Sequence, residues 1–396
     1  MTATEVPART RRALPTVVAL ATAFSSANLY YQQPLLPMLS DATGTSESLL
    51  GLVTTLGQIG FIVGVVLVLP LGDVLQRRWL IPSLMGLAAI GQATAALAGS
   101  IPLLMATAVP IGVGAAASQL LVPYSGDLAD PRRRAQAVGR TLGALLSGIL
   151  LARFAAGLVA DAWGWRAVYF ISATVLASLA VALWQVAPAE TRPARQLDYP
   201  KLLATTMTLA RSEPWLRRCV VFGALTFGAF NLFWTAVPFR LSEDPFDWSA
   251  GMIGALSLVG IGGIVVANLA GAQVQRGRGR HLAGLGIVLV TVSFGLAVPE
   301  TRSVVLLVLI AVLLDLGVQA VHAVNQCTLV ERAGEQRSGA NAVYMSAYFL
   351  GGAVGSAVAP ALFAAFSWSG VAGTGLMLGV LAAVSWLFLM RRGVLR

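Results

Sequence analysis

Charge is scarce in this sequence. Only 11% of its 396 residues are Asp, Glu, Lys or Arg, where soluble domains carry about 25%. A water-facing surface of ordinary size cannot be built from so few. Cysteine is nearly absent too: Cys219 and Cys327 stand far apart in apolar runs, which suits buried thiols better than a disulfide or a metal pair. The two histidines, His281 and His322, lack Cys or Asp partners at ligand spacing, so no metal site is expected. No Gly-rich loop ends in Lys-Ser or Lys-Thr, which excludes an ATP site of the phosphate-loop kind. Ser346, His322 and Asp315 could be assembled into a catalytic set only on paper. These absences argue against an enzyme and against any cofactor.

What is abundant is apolar sequence, 57% of the chain. A helix needs roughly 20 apolar residues to cross the hydrocarbon core. Such runs fall at 14–38, 49–71, 79–98, 101–124, 136–160, 165–187, 216–241, 250–272, 282–298, 304–328, 340–366 and 371–390. The expectation is an all-α membrane protein of twelve transmembrane helices. The first run is too long for a signal peptide and lacks a small-residue cleavage site, so it reads as a mature span.

Lysine is almost missing as well: Lys201 is the only one among 27 basic residues. The arginines gather in short clusters between apolar runs rather than on a soluble face, which speaks against nucleic acid as partner. Twenty-two of the 27 basic residues lie in the two tails and in alternate loops, and the opposite loops hold Asp41, Glu47, Asp161, Glu243, Asp244, Asp247 and Glu300. By the positive-inside rule both termini are expected in the cytoplasm.

The chain also repeats itself. Phe24-Ser-Ser-Ala-Asn28-Leu-Tyr-Tyr31 in the first span echoes Phe227-Gly-Ala-Phe-Asn231-Leu-Phe-Trp234 in the seventh. The same offset of 203 residues pairs Gly51 with Gly254, Gly57 with Gly260, Gly60 with Gly263 and Arg77 with Arg280. Apolar helices resemble one another, but that does not explain a shared register of glycine and asparagine. Two like-oriented six-helix pseudo-symmetric bundles are expected, at 14–187 and 216–390. Flanking them are cytoplasmic tails at 1–13 and 391–396 and a cytoplasmic linker at 188–215. Such halves enclose a site near the bilayer midplane that opens to each side in turn.

Three loop motifs carry a family resemblance. Asp73-Val-Leu-Gln-Arg77-Arg78 follows the second span, Asp127-Leu-Ala-Asp130-Pro-Arg-Arg-Arg134 precedes the fifth, and Gly157-Leu-Val-Ala-Asp161-Ala-Trp-Gly-Trp-Arg166 ends it. Together, in those loops, they resemble the major facilitator superfamily and its twelve-helix drug:proton antiporter branch. Val74 and Gln76 depart from the first motif. Ala108 stands where the family has an arginine in the fourth span, and Arg153 where the branch has a proline in the fifth. The resemblance implies the major facilitator fold, no cofactor beyond a proton gradient, and Asp73 and Arg77 as a cytoplasmic gate. Arg132, Arg133 and Arg134 read better as solvated loop charges.

With the helix-four arginine missing, few charges remain for coupling. Of the 17 acids only Asp315 lies deep in a span, where a charge costs several kcal/mol and marks ion or substrate pathways. In the tenth span Asp315, Gln319, His322 and Gln326 are spaced 4, 3 and 4, an arc of roughly 60° on one helix face. An acid beside a titratable imidazole suits a proton-coupled carrier. An interhelical hydrogen-bond network is the alternative. Arg153 is the basic residue well inside a span; it can serve a carboxylate such as Asp315, bind an anionic substrate, or snorkel. Asn28, Tyr31, Gln32, Gln119, Asn231, Trp234, Asn341 and Tyr344 complete the candidate substrate cavity, with packing or interfacial anchoring as their simpler role.

The function expected is secondary active transport by alternating access, most simply proton-coupled efflux of a small organic molecule, drug-like or sugar. A proton-coupled uptake symporter is the alternative, and a non-transporting receptor or scaffold a remote one. A monomer in the cell inner membrane, handling small molecule and protons, completes the expectation.

Overall fold

A computed structural model describes residues 8–73, 75–188, 213–263, 266, 273–274, 276–299, 302–333 and 337–391. The described residues are helical almost throughout, and nine of their helices are long and apolar enough to cross a membrane. The first, eighth and eleventh-to-twelfth runs account for the rest of the twelve-span pattern. Each departs from a plain helix for a local reason.

The first span is not continuous. A helix over Ala8–Ala27 is followed by turns, a single 3-10 turn at Gln33–Leu35 and a second helix at Leu36–Thr43. Pro34 and Pro37 lack the N–H that would bond one turn back, and each restricts the residue before it. The second span runs from Glu47 to Val63, widens into a π turn at Gly64–Val68 and tightens at Leu69–Asp73. Pro70 has no N–H to offer the carbonyl of Val66, which falls in the widened turn. The eighth begins at Ala250–Leu256, where Ser249 caps the N–H of Met252, and its C-terminal part lies largely outside the described residues. The eleventh and twelfth run together over Arg337–Arg391, broken at Ser367 (φ 53°, ψ −156°). Gly164, at φ 79°, turns the chain between the fifth (Arg134–Trp163) and sixth (Trp165–Val186) spans; a side chain there would be strained.

The seventh span, Pro214–Ser242, has 29 residues, about 44 Å at 1.5 Å each, ample for a core of about 30 Å. The tenth, Val304–Arg332, is equally long and starts on a Ser303 cap.

The chain divides into two compact units, Met1–Gln32 with Leu56–Leu197 and Gln33–Thr55 with Asp198–Arg396. Their internal packing repeats. In the first unit the first span packs on the fifth, and the third packs on the fourth and sixth. In the second unit the seventh packs on the eleventh and the ninth on the tenth and twelfth. The close approaches are made by glycine. A Cβ at Gly148 would collide with the backbone of Ala23, and one at Gly351, 203 residues further on, with the backbone of Ala224. Lipid tails are as apolar as the helices, so such backbone approach, not hydrophobic burial, drives their association.

Candidate functional site

In the second unit the tenth span carries its polar stripe inward. Asp315 is 5% exposed, and Gln319, His322 and Gln326 are half-buried. His322 Nδ1 lies 2.9 Å from the hydroxyl of Tyr344 on the eleventh span. Its ring sits 4.6 Å from that of Tyr348. Tyr348 stacks in turn on Phe227 at 3.9 Å, and Phe227 on Phe230 at 5.6 Å. Phe349 and Trp234 extend this cluster. One titratable imidazole therefore stands against an aromatic wall built by the seventh and eleventh spans. Helical spacing explains the wall: Phe227, Phe230 and Trp234 recur at i, i+3 and i+7 on one face, as do Tyr344 and Tyr348 at i and i+4.

The amides around this cluster are engaged. Asn325 Nδ2 donates to the carbonyl of Cys219 at 3.2 Å and faces the Tyr344 hydroxyl at 3.5 Å. Gln326 Nε2 lies 3.5 Å from Met345 Sδ. Gln319 lies over Gly263, where a Cβ would come within 2.7 Å of Cγ. Asn231 is fully buried and donates to Phe227 O in its own helix at 3.2 Å. Asn341 is half-buried.

In the first unit, Arg153 is 4% exposed and its guanidinium lies 4.6 Å over the ring of Tyr30. The guanidinium is thus covered by the protein. Tyr30 sits in the turns that interrupt the first span, so the break that Pro34 and Pro37 impose places the aromatic ring beneath the charge. Asn28, the first residue of those turns, accepts from Gln92 Nε2 at 2.9 Å and from Ser172 Oγ at 3.3 Å, tying the first span to the third and sixth. Tyr31 is buried beside these residues. Gln32 is buried, and Gln119 is half-buried.

At the arginine-rich end of this unit, Arg77 is buried and its Nη2 is 2.7 Å from Asp127 Oδ2. Arg77 also lies 4.8 Å over the ring of Tyr124, and Arg134 pairs with the other oxygen of Asp127. Arg77 thus pairs with Asp127 from the second motif; the side chain of Asp73 lies outside what is described. The solvated reading holds for Arg132 and Arg133, which are exposed, but Arg134 is committed to an ion pair. Tyr30, Gln92, Ser172 and Asp127 were not picked out as site residues by the sequence. Asp127 alone left a signal, as the acid that opens the second motif. Among the described residues no group of His, Cys, Asp and Glu could hold a metal.

The sequence profile of the Major Facilitator Superfamily matches residues 18–299 and 221–395. The chain is 35% identical over 375 residues to the transporter YgaY of Escherichia coli O157:H7, covering 94% of this chain and 95% of that one. It is 25% identical over 348 residues to the inner membrane transport protein YnfM of Escherichia coli K12, covering 87% and 82%. A bacterial homolog of the human lysosomal transporter Spinster, solved inward-facing and occupied, shares the fold with a TM-score of 0.77 at 15% identity, over 97% of this chain and 98% of that one. Twelve apolar runs in the sequence, an internal repeat seen in both sequence and packing, and these matches lead to one conclusion: the chain belongs to the major facilitator superfamily of multi-pass membrane transporters and is not an enzyme.

Proposed function

We propose that this transporter uses the proton gradient to export a small, amphiphilic organic molecule, with Asp315 as the coupling carboxylate. The observation that carries this reading is the burial of Asp315 in a span whose same face presents His322 to Tyr344 and Tyr348. A carboxylate held at that depth is costly unless it serves an ion or substrate path. The aromatic wall beside His322 offers flat apolar area and a few polar tips, which suits a ring-bearing or sugar-like substrate. Export follows the resemblance to the antiporter branch. Bundles at 14–187 and 216–390 work by alternating access, as a monomer. An inner-membrane location with both termini cytoplasmic accords with the arginine-rich loops and with the name of YnfM.

The test is transport in proteoliposomes under an imposed proton gradient, across a substrate panel. Asp315→Asn should leave a folded, inserted protein whose gradient-driven transport is abolished while substrate exchange persists. Normal gradient-driven transport by Asp315→Asn ends the assignment. Accumulation driven down the proton gradient, rather than expulsion against it, establishes uptake symport instead.

A further inference from the structure

Tyr344 is fully buried in the eleventh span, and its hydroxyl stands between two groups of the tenth: His322 Nδ1 at 2.9 Å and Asn325 Nδ2 at 3.5 Å. Gly223 on the seventh span lets the ring sit there, since a Cβ would come within 2.7 Å of Cε2 and 3.2 Å of the hydroxyl oxygen. Asn325 is anchored in turn, donating through Nδ2 to the carbonyl of Cys219 at 3.2 Å.

These contacts fix the direction of every hydrogen along the chain of bonds. The Cys219 carbonyl can only accept, so the Asn325 atom facing it is the amide nitrogen, which only donates. The Tyr344 oxygen therefore accepts from Asn325. Its own hydrogen is left for His322 Nδ1, which accepts it. A neutral imidazole that accepts at Nδ1 carries its hydrogen on Nε2. The opposite tautomer, or an imidazolium, would place a hydrogen on Nδ1 and turn the tyrosine hydrogen away from it. No other acceptor for that hydrogen is found among the described residues, and an orphaned buried donor is costly.

Nε2 is where the chain of bonds ends. The His322 ring is half-buried, and among the described residues its Nε2 has no hydrogen-bond partner. The Tyr348 ring lies alongside, 4.6 Å between centroids. The other titratable groups are Cys219, behind Asn325, and Asp315, two turns back on the same helix. Arg218, Arg280 and Arg332 stand with Asn325 around a small cavity at the arginine-rich end. A neutral donor beside an aromatic face suits a ring-bearing molecule with an uncharged acceptor oxygen.

We propose that His322 binds substrate and does not carry the proton. Tyr344 and Asn325 are positioning residues that keep it neutral with its hydrogen on Nε2, and it donates that hydrogen to a carbonyl or ether oxygen of a ring-bearing substrate. The nature of the bound molecule rests on the transport reading above; the place of the hydrogen does not.

Full-length His281→Gln protein, with His322 its only histidine, is labelled with 15N-histidine and followed by NMR in micelles at pH 7. Acetophenone and ethylbenzene are the probes. The parent spectrum should show a protonated Nε2 and an unprotonated, hydrogen-bonded Nδ1. Tyr344→Phe, nearly isosteric, should move the Nδ1 signal to that of a free lone pair. Acetophenone, whose carbonyl accepts, should displace the Nε2 signal, and ethylbenzene, of similar shape without the oxygen, should not. His322→Gln sets an amide N–H near the place of Nε2 and should keep saturable binding of radiolabelled acetophenone within about threefold, while His322→Phe should weaken it about tenfold, the loss of one hydrogen bond. Should His322→Phe fail to fold, the comparison of the parent with Tyr344→Phe decides. No gradient is present, so a failed coupling role for Asp315 leaves all these signals in place. An Nδ1–H tautomer or an imidazolium in the parent, an Nδ1 signal indifferent to Tyr344→Phe, or an Nε2 signal that acetophenone leaves unmoved overturns the proposal.

Discussion

Removing the negative charge from Asp127 should unsettle the arginine-rich end of the first unit by an amount that the ion-pair geometry sets. Arg77 keeps only 7% of its side chain exposed, and its Nη2 lies 2.7 Å from Asp127 Oδ2. Asp127 itself is 36% exposed, and its second partner, Arg134, 63%. Breaking a fully buried pair costs about 3–5 kcal/mol, while hydrogen bonds to charged groups contribute about 1.5–3 kcal/mol. With a third of the carboxylate in water, Asp127→Asn should cost about 2 kcal/mol, nearly all of it through Arg77, since exposed pairs such as that with Arg134 contribute about 0–1 kcal/mol. The stacking of Arg77 on Tyr124 survives in Asp127→Asn. It vanishes in Arg77→Gln whichever residue occupies 127, so it cancels from a double-mutant cycle. Reversible unfolding in mixed micelles, followed by tryptophan fluorescence, should give a coupling energy between Arg77→Gln and Asp127→Asn of about 1–2 kcal/mol. Additivity within about 0.5 kcal/mol would refute the pairing as the source of stability. Arg134→Gln should lose less than 1 kcal/mol by the same measure.

Two further outcomes follow from the packing and the charge pattern. Gly148→Ala and Gly351→Ala, which drive a methyl into Ala23 and Ala224, should each destabilise by about 1–3 kcal/mol. Gly143→Ala, with nothing within 4 Å of its Cβ, should be neutral or gain up to about 1 kcal/mol, and similar losses at all three would contradict the close-approach argument. In a variant lacking Cys219 and Cys327, a cysteine at Thr43 or Asp244 should react with an impermeant maleimide from outside intact cells, and one at Arg276 only after permeabilisation; the reverse pattern inverts the orientation.

The fold was legible because its signals are long and repeated. Twenty-residue apolar runs, arginines in alternate loops and a fixed offset of 203 residues all speak to the same architecture, and each is a property of sequence alone. The breaks inside the first and second spans were half legible: Pro34, Pro37 and Pro70 announce a missing N–H, but the resulting turns and π widening depend on neighbours. The polar stripe on the tenth span was visible from spacing, since Asp315, Gln319, His322 and Gln326 share one face whatever surrounds them. What spacing cannot give is the partner. Tyr30 beneath Arg153, Gln92 and Ser172 on Asn28, and Asp127 on Arg77 are contacts between spans distant in sequence. The register between helices decides them, and close glycine contacts set that register. Asn28 shows the consequence: its oxygen accepts from the third and sixth spans, which spacing along the first span does not reveal.

Arg153 offers the sharpest separation of stability from function. Its charge is buried in the fifth span against the ring of Tyr30, and a cation over an aromatic face contributes about 0.5–2 kcal/mol. Desolvating a guanidinium costs several kcal/mol, and replacing buried ionic groups by apolar side chains of similar volume is often neutral or stabilising. A chain selected only to hold its spans together has little reason to keep arginine there. Arg153→Leu should therefore unfold at the same or a higher midpoint than the parent, yet lose gradient-driven transport in proteoliposomes. Arg153→Ala should also be inactive, and somewhat less stable because it leaves a void. Arg153→Lys keeps the charge but not the planar fork, so it should retain partial transport. Tyr30→Leu removes the ring beneath the guanidinium and should lower stability by about 1 kcal/mol without abolishing transport. If Arg153→Leu transports normally, the charge serves no substrate or ion. If Arg153→Leu instead unfolds easily while the little that folds is active, the arginine is a packing residue whose worth lies in its contact with Tyr30.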